Sequence, residues 1–309
     1  MRIIGVLAIT LIITSACTER GKDGRPIDTP TSGYLKVAID ESLRPVMQAE
    51  IDTFEAIYQQ AHIEAHYMSE VQAIEALLKD SVRVIITTRK LTENEAAPIK
   101  ALQIKPTEIA VAKDAIALIL NKANTDTLIQ WQQLKSILEG KITDWNQLNP
   151  KSKAGKIELV FDNPNSGMVR FLNDSVVHME KIPSNCFALD SNRAVVDYVA
   201  QKASAIGLIG VSWITEKSAT NKFLNSVRVA SLSRDSAYFQ PYQAYVATGD
   251  YPLQRKIFMV SREARSGLAS GFISFVASDR GQRIILKAGL VPVTMPVRIL
   301  QVNTNQINN

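Results

Sequence analysis

Three short stretches of this chain carry side chains and backbone donors suited to gripping an oxyanion. Ser42 follows Asp40-Glu41 at the end of an alternating apolar run, Thr87-Thr88-Arg89 follow the run Val82 to Ile86, and Asn165-Ser166-Gly167 stand ahead of a segment carrying Val169 and Phe171. A helix start presents unpaired N–H groups and the positive end of the helix dipole, so a hydroxyl-bearing turn there can hold an anion without a counter-ion. The same residue types also cap helices for stability alone, and Asp40-Glu41 suit a cap on a helix beginning near Leu43. From the residues themselves both uses stay open.

Other constellations offer less chemistry. His62, Glu64 and His66 alternate on an expected strand, but a metal site needs a further ligand within reach and the only other histidine is His178. No metal site and no cofactor are expected. Ser166-Gly167 lacks the flanking glycines of a nucleophile elbow, and Cys186 has no histidine neighbour, which leaves it as a small buried residue. Trp131, Trp145 and Trp213 fall in or beside expected helices and read as packing. With no nucleophile–base pair, the chain is not expected to be an enzyme.

The elements that must position the three turns follow from periodicity. Leu35, Val37 and Ile39 alternate as in a strand, and Met47, Ile51, Phe54 and Tyr58 repeat at helical spacing. A second strand is expected at Ile63 to Met68, then a short helix with Val71, Ile74, Leu77 and Leu78 on one side, then a doubly buried strand at Val82 to Ile86. This is βαβαβ rhythm, which implies a mostly parallel sheet with helices on both faces. The rhythm resumes with Ala115 to Leu120, a helix with Leu134, Ile137 and Leu138, a strand at Ile157 to Phe161, helices near Met168 to Val177 and Arg193 to Lys202, and a strand at Ala205 to Ile209. Two α/β lobes are expected, with residues 33–117 plus 245–309 in lobe 1 and 118–244 in lobe 2. A cleft between two such lobes, outside the strand C-termini, is a common small-molecule site.

The N-terminus suggests export. Met1-Arg2 precede the apolar run Ile3 to Ile13, which is too short to span a bilayer, and Thr14-Ser15-Ala16 lead to Cys17. Residues 1–17 are expected to be a signal peptide. Ser15-Ala16-Cys17 resembles a lipobox, with Thr14 where that motif has a leucine-like residue, so Cys17 is the expected lipidation site and an ordinary cleavable signal is the alternative. Residues 18–32, rich in Gly, Pro, Thr and charge, read as a flexible tether. If Cys17 carries lipid, Cys186 has no disulfide partner.

With 46% hydrophobic and 21% charged residues, the chain can bury two cores. The net charge of +5 is spread through mixed-sign surroundings without basic runs, and nucleic-acid binding is not expected.

Several local sequences resemble PstS-type phosphate-binding proteins of the periplasmic-binding-protein superfamily. They are Val37 to Ser42, Val84 to Leu91, Val111 to Ala117, Leu138 to Trp145, Asn165 to Met168, Ala205 to Gly210, Tyr251 to Leu253, Ser278 to Gln282 and Gly289 to Pro292, in the family's order. The resemblance implies a two-lobed type II α/β fold that closes on inorganic phosphate or a similar oxyanion and delivers it to an ABC transporter permease. It also implies a monomer, lipid-anchored in the cell envelope and facing the periplasm or exterior. The ligand-binding set carried over with the turns is Asp40, Glu41, Ser42, Thr87, Thr88, Arg89, Asn165, Ser166, Gly167, Met168 and Arg170.

The departures lie at ligand positions. Arg83 stands where the family has an acidic residue, Ile85 where it has glycine, Asp162 where it has arginine, and Met168 where it has threonine. Arg89 and Arg170 are the candidates to restore the lost charge. Asp40 or Asp162 could accept the proton of hydrogen phosphate, which selects against fully ionised sulfate. The alternative implied by the departures is a divergent module that recognises another ligand or acts as an envelope sensor or adaptor.

Overall fold

The structure is a computed structural model that describes residues 26–178, 182–215 and 225–296. The expected signal peptide, Cys17 and the first part of the expected tether lie outside the described residues.

The chain opens with β1 (Ser32–Asp40), a 3-10 turn at Glu41–Leu43, α1 (Arg44–Ile57), β2 (Gln60–Met68), α2 (Glu70–Leu78), β3 (Val84–Thr87) and α3 (Glu93–Ala101). The long strand β4 (Thr107–Asn121) leads into β5 (Leu128–Gln130), α4 (Trp131–Leu138), β6 (Glu158–Phe161), α5 (Gly167–Ser175), β7 (Cys186–Ala188), α6 (Asn192–Gln201), β8 (Ala205–Gly210) and α7 (Ser212–Thr215). The rest is β9 (Val227–Val229), β10 (Ser231–Ser233), α8 (Gln243–Thr248), β11 (Gln254–Ser261), α9 (Leu268–Ala277), α10 (Asp279–Lys287) and β12 (Val291–Pro292).

The main sheet runs in the order β2-β1-β3-β11-β4-β8-β6-β7. The β2-β1-β3 and β8-β6-β7 neighbours are parallel, as the βαβ rhythm requires, while β11 inserts antiparallel between β3 and β4. In β1, Leu35, Val37 and Ile39 face the core under α1, α9 and α10, and Ala38 faces the opposite core with Ile74, Leu77 and Ile99 of α2 and α3. That is the two-residue alternation of a sheet covered on both faces. Phe54 of α1 meets Phe272 and Phe275 of α9 edge-on at 5.4 and 5.3 Å.

A separate core forms around the second half of β4 with β6, β8, α4, α5 and α6. β4 therefore serves both lobes: Val111 and Ala112 pack in the first core, and Ala115 to Leu120 in the second. Val246, Tyr251 and Leu253 also pack in this second core. The reason is that Leu253 O accepts the Ile116 N–H and the Tyr251 hydroxyl donates to Ile116 O.

The last part of the expected tether is not free. Asp28 Oδ1 accepts the Leu268 N–H at the start of α9 at 2.8 Å, and a Cβ on Gly271 would lie 1.8 Å from Pro30 O. The polar composition of residues 26–32 serves helix capping and a close backbone approach, neither of which hydrophobic patterning reports. Trp145 and Trp213 are buried, and Cys186 is a buried free thiol that burial pushes up to about 12. Among the described residues no helix is long and apolar enough to cross a membrane, and no group of three or more His, Cys, Asp or Glu is placed to hold a metal. His66 instead meets Glu64 at 2.9 Å on the edge strand β2.

Candidate functional site

The three turns come together where the C-terminal ends of β1, β3 and β6 face each other between the lobes. At the first, Asp40 ends β1 and caps the 3-10 turn, its Oδ1 accepting the Ser42 N–H at 2.9 Å and the Ser42 hydroxyl at 2.6 Å. Its other oxygen reaches across the cleft and accepts the Gly167 N–H of α5 at 2.9 Å. Asp40 is thus both a cap and an interlobe contact. Burial holds its pKa above the usual carboxylate value; Arg255 pulls it down and Glu70 pushes it up further.

The second turn closes β3. Thr87 donates its hydroxyl to Arg89 O and so shapes the turn itself. Thr88 donates both its N–H and its hydroxyl to Glu70 Oε2, at 2.7 Å each. Arg89 lies 3.6 Å from Glu70 but makes its bidentate pair with Glu95, at 2.6 and 2.7 Å. The hydrogen bonds from Arg89 hold Glu95 down at about 2.

The third turn starts α5. Ser166 is the N-cap, accepting the Val169 N–H while donating its hydroxyl to Asp162 at 2.5 Å. Asn165 is exposed and contributes a backbone oxygen, 3.5 Å from the Val71 N. Met168 does not face the cleft: it is fully buried in the second core, because the helix turn that aims Gly167 at Asp40 aims the next residue inward. Arg170, one turn further on, returns to the cleft, donating from Nε to Glu70 Oε1 at 2.6 Å and from Nη2 to Thr88 Oγ1 at 3.0 Å. Of the two candidate arginines, only Arg170 crosses the cleft, from α5 of lobe 2 to Glu70 and Thr88 of lobe 1.

Four further residues complete the site; three were not singled out from sequence, and the fourth, Trp213, was read there as packing. Glu70 is the first residue of α2, one N-cap residue (Ser69) beyond the strand end Tyr67-Met68, a position where a parallel sheet puts its ligands; that was the one available signal. Burial pushes its carboxyl up, but Arg170 and the hydrogen bonds from Arg170 and Thr88 outweigh it, so the net shift is below the usual range. Asn192 begins α6 and bridges the lobes, its Nδ2 donating to Glu41 at 2.8 Å and to Asp162 at 3.0 Å. Burial raises Glu41, partly offset by the Asn192 hydrogen bonds. Arg255 on β11 donates to Ser42 Oγ at 2.8 Å and to Asp114 on β4 at 2.9 Å. Trp213 Nε1 donates to Ser42 O at 3.0 Å.

Beside these contacts lies a cavity of about 220 Å³ lined by Asp40, Glu41, Tyr67, Met68, Ser69, Gln72, Asp162, Asn163, Ser166 and Asp190. Its walls are acidic. Asp162 is pushed up to about 7, first by burial and then by the neighbouring Asp40 charge. At neutral pH it can therefore carry or accept a proton, which suits contact with a protonated oxyanion.

Comparison with known proteins agrees with this architecture. A family model described as a PBP superfamily domain matches residues 25–280. The chain is 25% identical over 300 residues to the phosphate-binding protein PstS of Bacillus subtilis, covering 94% of this chain and 92% of that one. It is 24% identical over 281 residues to PstS of Staphylococcus aureus, covering 89% and 83%. Among solved structures, a Clostridium perfringens chain assigned as a phosphate ABC transporter substrate-binding protein, with bound phosphate, superposes with a TM-score of 0.72 at 23% identity, covering 84% of this chain and all of that one. An ABC-type phosphate transport receptor from Vibrio cholerae gives 0.62 at 20% identity, with 84% and 100% covered.

Proposed function

The chain belongs to the PBP superfamily, with distant homology to PstS phosphate-binding proteins and a type II periplasmic-binding-protein fold, and we propose that it binds inorganic phosphate reversibly between its lobes. One observation carries the reading. The Thr88 N–H and hydroxyl, the Arg170 guanidinium and the Gly167 N–H all converge on carboxylate oxygens in one buried place between the lobes. Backbone donors at strand ends and helix starts, a hydroxyl and a planar guanidinium are the donor set that grips a phosphate. Asp40 or Asp162 accepts the proton of hydrogen phosphate, which disfavours sulfate because a carboxylate beside a fully ionised anion is repelled.

In this reading Asp40, Ser42, Thr88, Ser166, Gly167 and Arg170 line the ligand. Thr87, Glu41 and Asn165 shape the turns, and Arg89 holds α3 through Glu95. The lobes hinge on β4 and β11 and close on the solute, which passes to an ABC transporter permease. The protein acts as a monomer at the cell envelope, held by lipid on Cys17 and facing the periplasm or exterior. Its role is that of a binding protein, as the relatives' names also describe.

Isothermal titration of the full chain with phosphate and with sulfate tests the proposal. Saturable binding of phosphate and none of sulfate is expected; the absence of saturable phosphate binding at millimolar concentration would sink it. The acidic cavity walls favour a second reading, in which the same fold takes a ligand other than phosphate or serves as an envelope sensor or adaptor. A ligand screen by thermal shift separates the two, since only a ligand that binds the folded state raises the midpoint.

A further inference from the structure

Glu70 already fills the place where the site would hold an oxyanion. Its side chain is 1% exposed, and each of its oxygens is held: Oε2 by the Thr88 N–H and hydroxyl, Oε1 by Arg170 Nε. On its open side stands Gly167, where an added Cβ would come within 2.7 Å of Glu70 Oε2 and 2.7 Å of Asp40 Oδ2. A carboxylate presents the negative charge and paired acceptor oxygens of one edge of a phosphate, so these donors are satisfied by the protein itself. Glu70 and Thr88 sit on one lobe and Arg170 on the other, which makes the same contact a tie between lobes. The neighbouring tie, Gly167 N–H to Asp40, repeats the pattern with a second lobe 1 carboxylate on a lobe 2 donor.

We infer that Glu70 is a built-in latch, its carboxylate occupying the anion seat and holding the lobes together without solute, so that an incoming phosphate binds by displacing it. The inference rests on the oxyanion reading of the site given above. Two consequences follow. The apparent affinity for phosphate is lowered by the fraction of molecules in which Glu70 holds the seat. Lobe closure also ceases to depend on the ligand, because an internal group supplies the bridging charge.

The test compares the full chain with its Glu70→Ala and Glu70→Gln variants, by small-angle scattering in buffer free of phosphate and carboxylates and by calorimetric titration with phosphate. The wild type is expected to be compact without any anion and Glu70→Ala to be expanded. Added formate, the bare carboxylate, or added phosphate should return Glu70→Ala to the wild-type radius. The phosphate dissociation constant should fall at least ~10-fold in the variant. If the alanine variant does not fold, Glu70→Gln, which keeps the size but not the charge, should be more expanded than wild type in anion-free buffer and bind phosphate more tightly, and a glutamine variant as compact as wild type overturns the latch. A variant as compact as wild type in anion-free buffer, or one that expands and responds to neither anion, overturns the latch. Recompaction by formate alone upholds the latch and removes phosphate as the ligand.

Discussion

Asp114 on β4 and Arg255 on β11 are register partners across the two antiparallel strands, joined at 2.9 Å with both side chains 1% exposed. The pair sits where β4 passes from the first core to the second, and Arg255 Nη2 also reaches Ser42 Oγ. It links the hinge strands to the first turn of the site. Removing one member of a buried pair leaves the other charge uncompensated, at a cost of about 3–5 kcal/mol. Arg255→Ala should lower unfolding stability in urea by that order, while Arg83→Ala, whose partner Asp80 is half exposed, should change it by less than about 1 kcal/mol.

Gly167 packs tightly against lobe 1, its N–H on Asp40 Oδ2 at 2.9 Å. A Cβ at this position would stand 2.5 Å from Thr88 Oγ1 in the closed protein, yet the first position of a helix accepts alanine without backbone strain. Gly167→Ala should therefore push the lobes apart, lowering the urea midpoint through the lost interlobe ties and weakening phosphate binding ~10-fold or more through impaired closure. Calorimetry and scattering read the two effects separately; unchanged affinity would mean that the lobes do not close in this way.

Arg170 and Arg89 should part company on mutation. Losing a charged hydrogen bond to a bound anion costs about 1.5–3 kcal/mol, which is roughly 10- to 100-fold in affinity. Arg170→Ala should show a loss of that size for phosphate. Arg89→Ala should lose no more than about 3-fold, since its guanidinium is engaged with Glu95. Equal losses would place Arg89 in the site as well.

Asp162 gives a pH signature. In the folded chain it keeps its proton up to about 7 against an ordinary 3.8, so folding takes up a proton between these values. The stability from this group is therefore complete below pH 3.8 and disappears as the pH rises through 7, with a ceiling of about 4 kcal/mol. Thermal midpoints of wild type should fall from pH 5 to pH 8 more steeply than those of Asp162→Asn. Parallel curves would show that Asp162 stays charged in the closed protein.

Glu50 makes a similar prediction outside the site. It lies fully buried on α1, neither carboxyl oxygen has a partner, and burial pushes it up to about 9. Replacing an unsatisfied buried polar group with an apolar one of like size should stabilise the fold by about 1–3 kcal/mol. Glu50→Met should raise the urea midpoint, and the gain should grow as the pH rises from 4.5 to about 9, where the unfolded carboxyl is ionised but the folded one must take up a proton, and level off above that. A drop in the midpoint would mean that water or another group serves Glu50.

Much of this arrangement was legible in the residues. The alternation Leu35, Val37, Ile39 and the β-branched run ending at Ile86 mark strands of a parallel sheet, and such strands bring their C-terminal turns to one edge. That is why Ser42, Thr88, Ser166 and Gly167 could be named together. Glu70 follows a strand end in the same way, but as the first residue of an amphipathic helix it looks like any acidic N-terminal residue. Only the lobe arrangement shows that it faces Thr88 and Arg170. Arg255 was out of reach because β11 inserts antiparallel into the sheet from far along the chain, and no local pattern announces such a pairing. Arg89 illustrates the converse: adjacency to Thr88 suggested a ligand, and a capping-box glutamate six residues on claimed the guanidinium.

The clamp of Asp28 and Pro30 onto α9 limits how far the molecule can travel. With Cys17 acylated, only the ten residues 18–27 separate the bilayer from that clamp, a reach of at most ~35 Å when fully stretched. Under the proposed lipid anchor, the protein would be confined to a thin layer above the lipid, and its effective concentration at a permease in the same bilayer would far exceed its bulk value. Because Asp28 and Pro30 pack on α9 of lobe 1, such an anchor would hold lobe 1 and leave the proposed swing of lobe 2 unloaded.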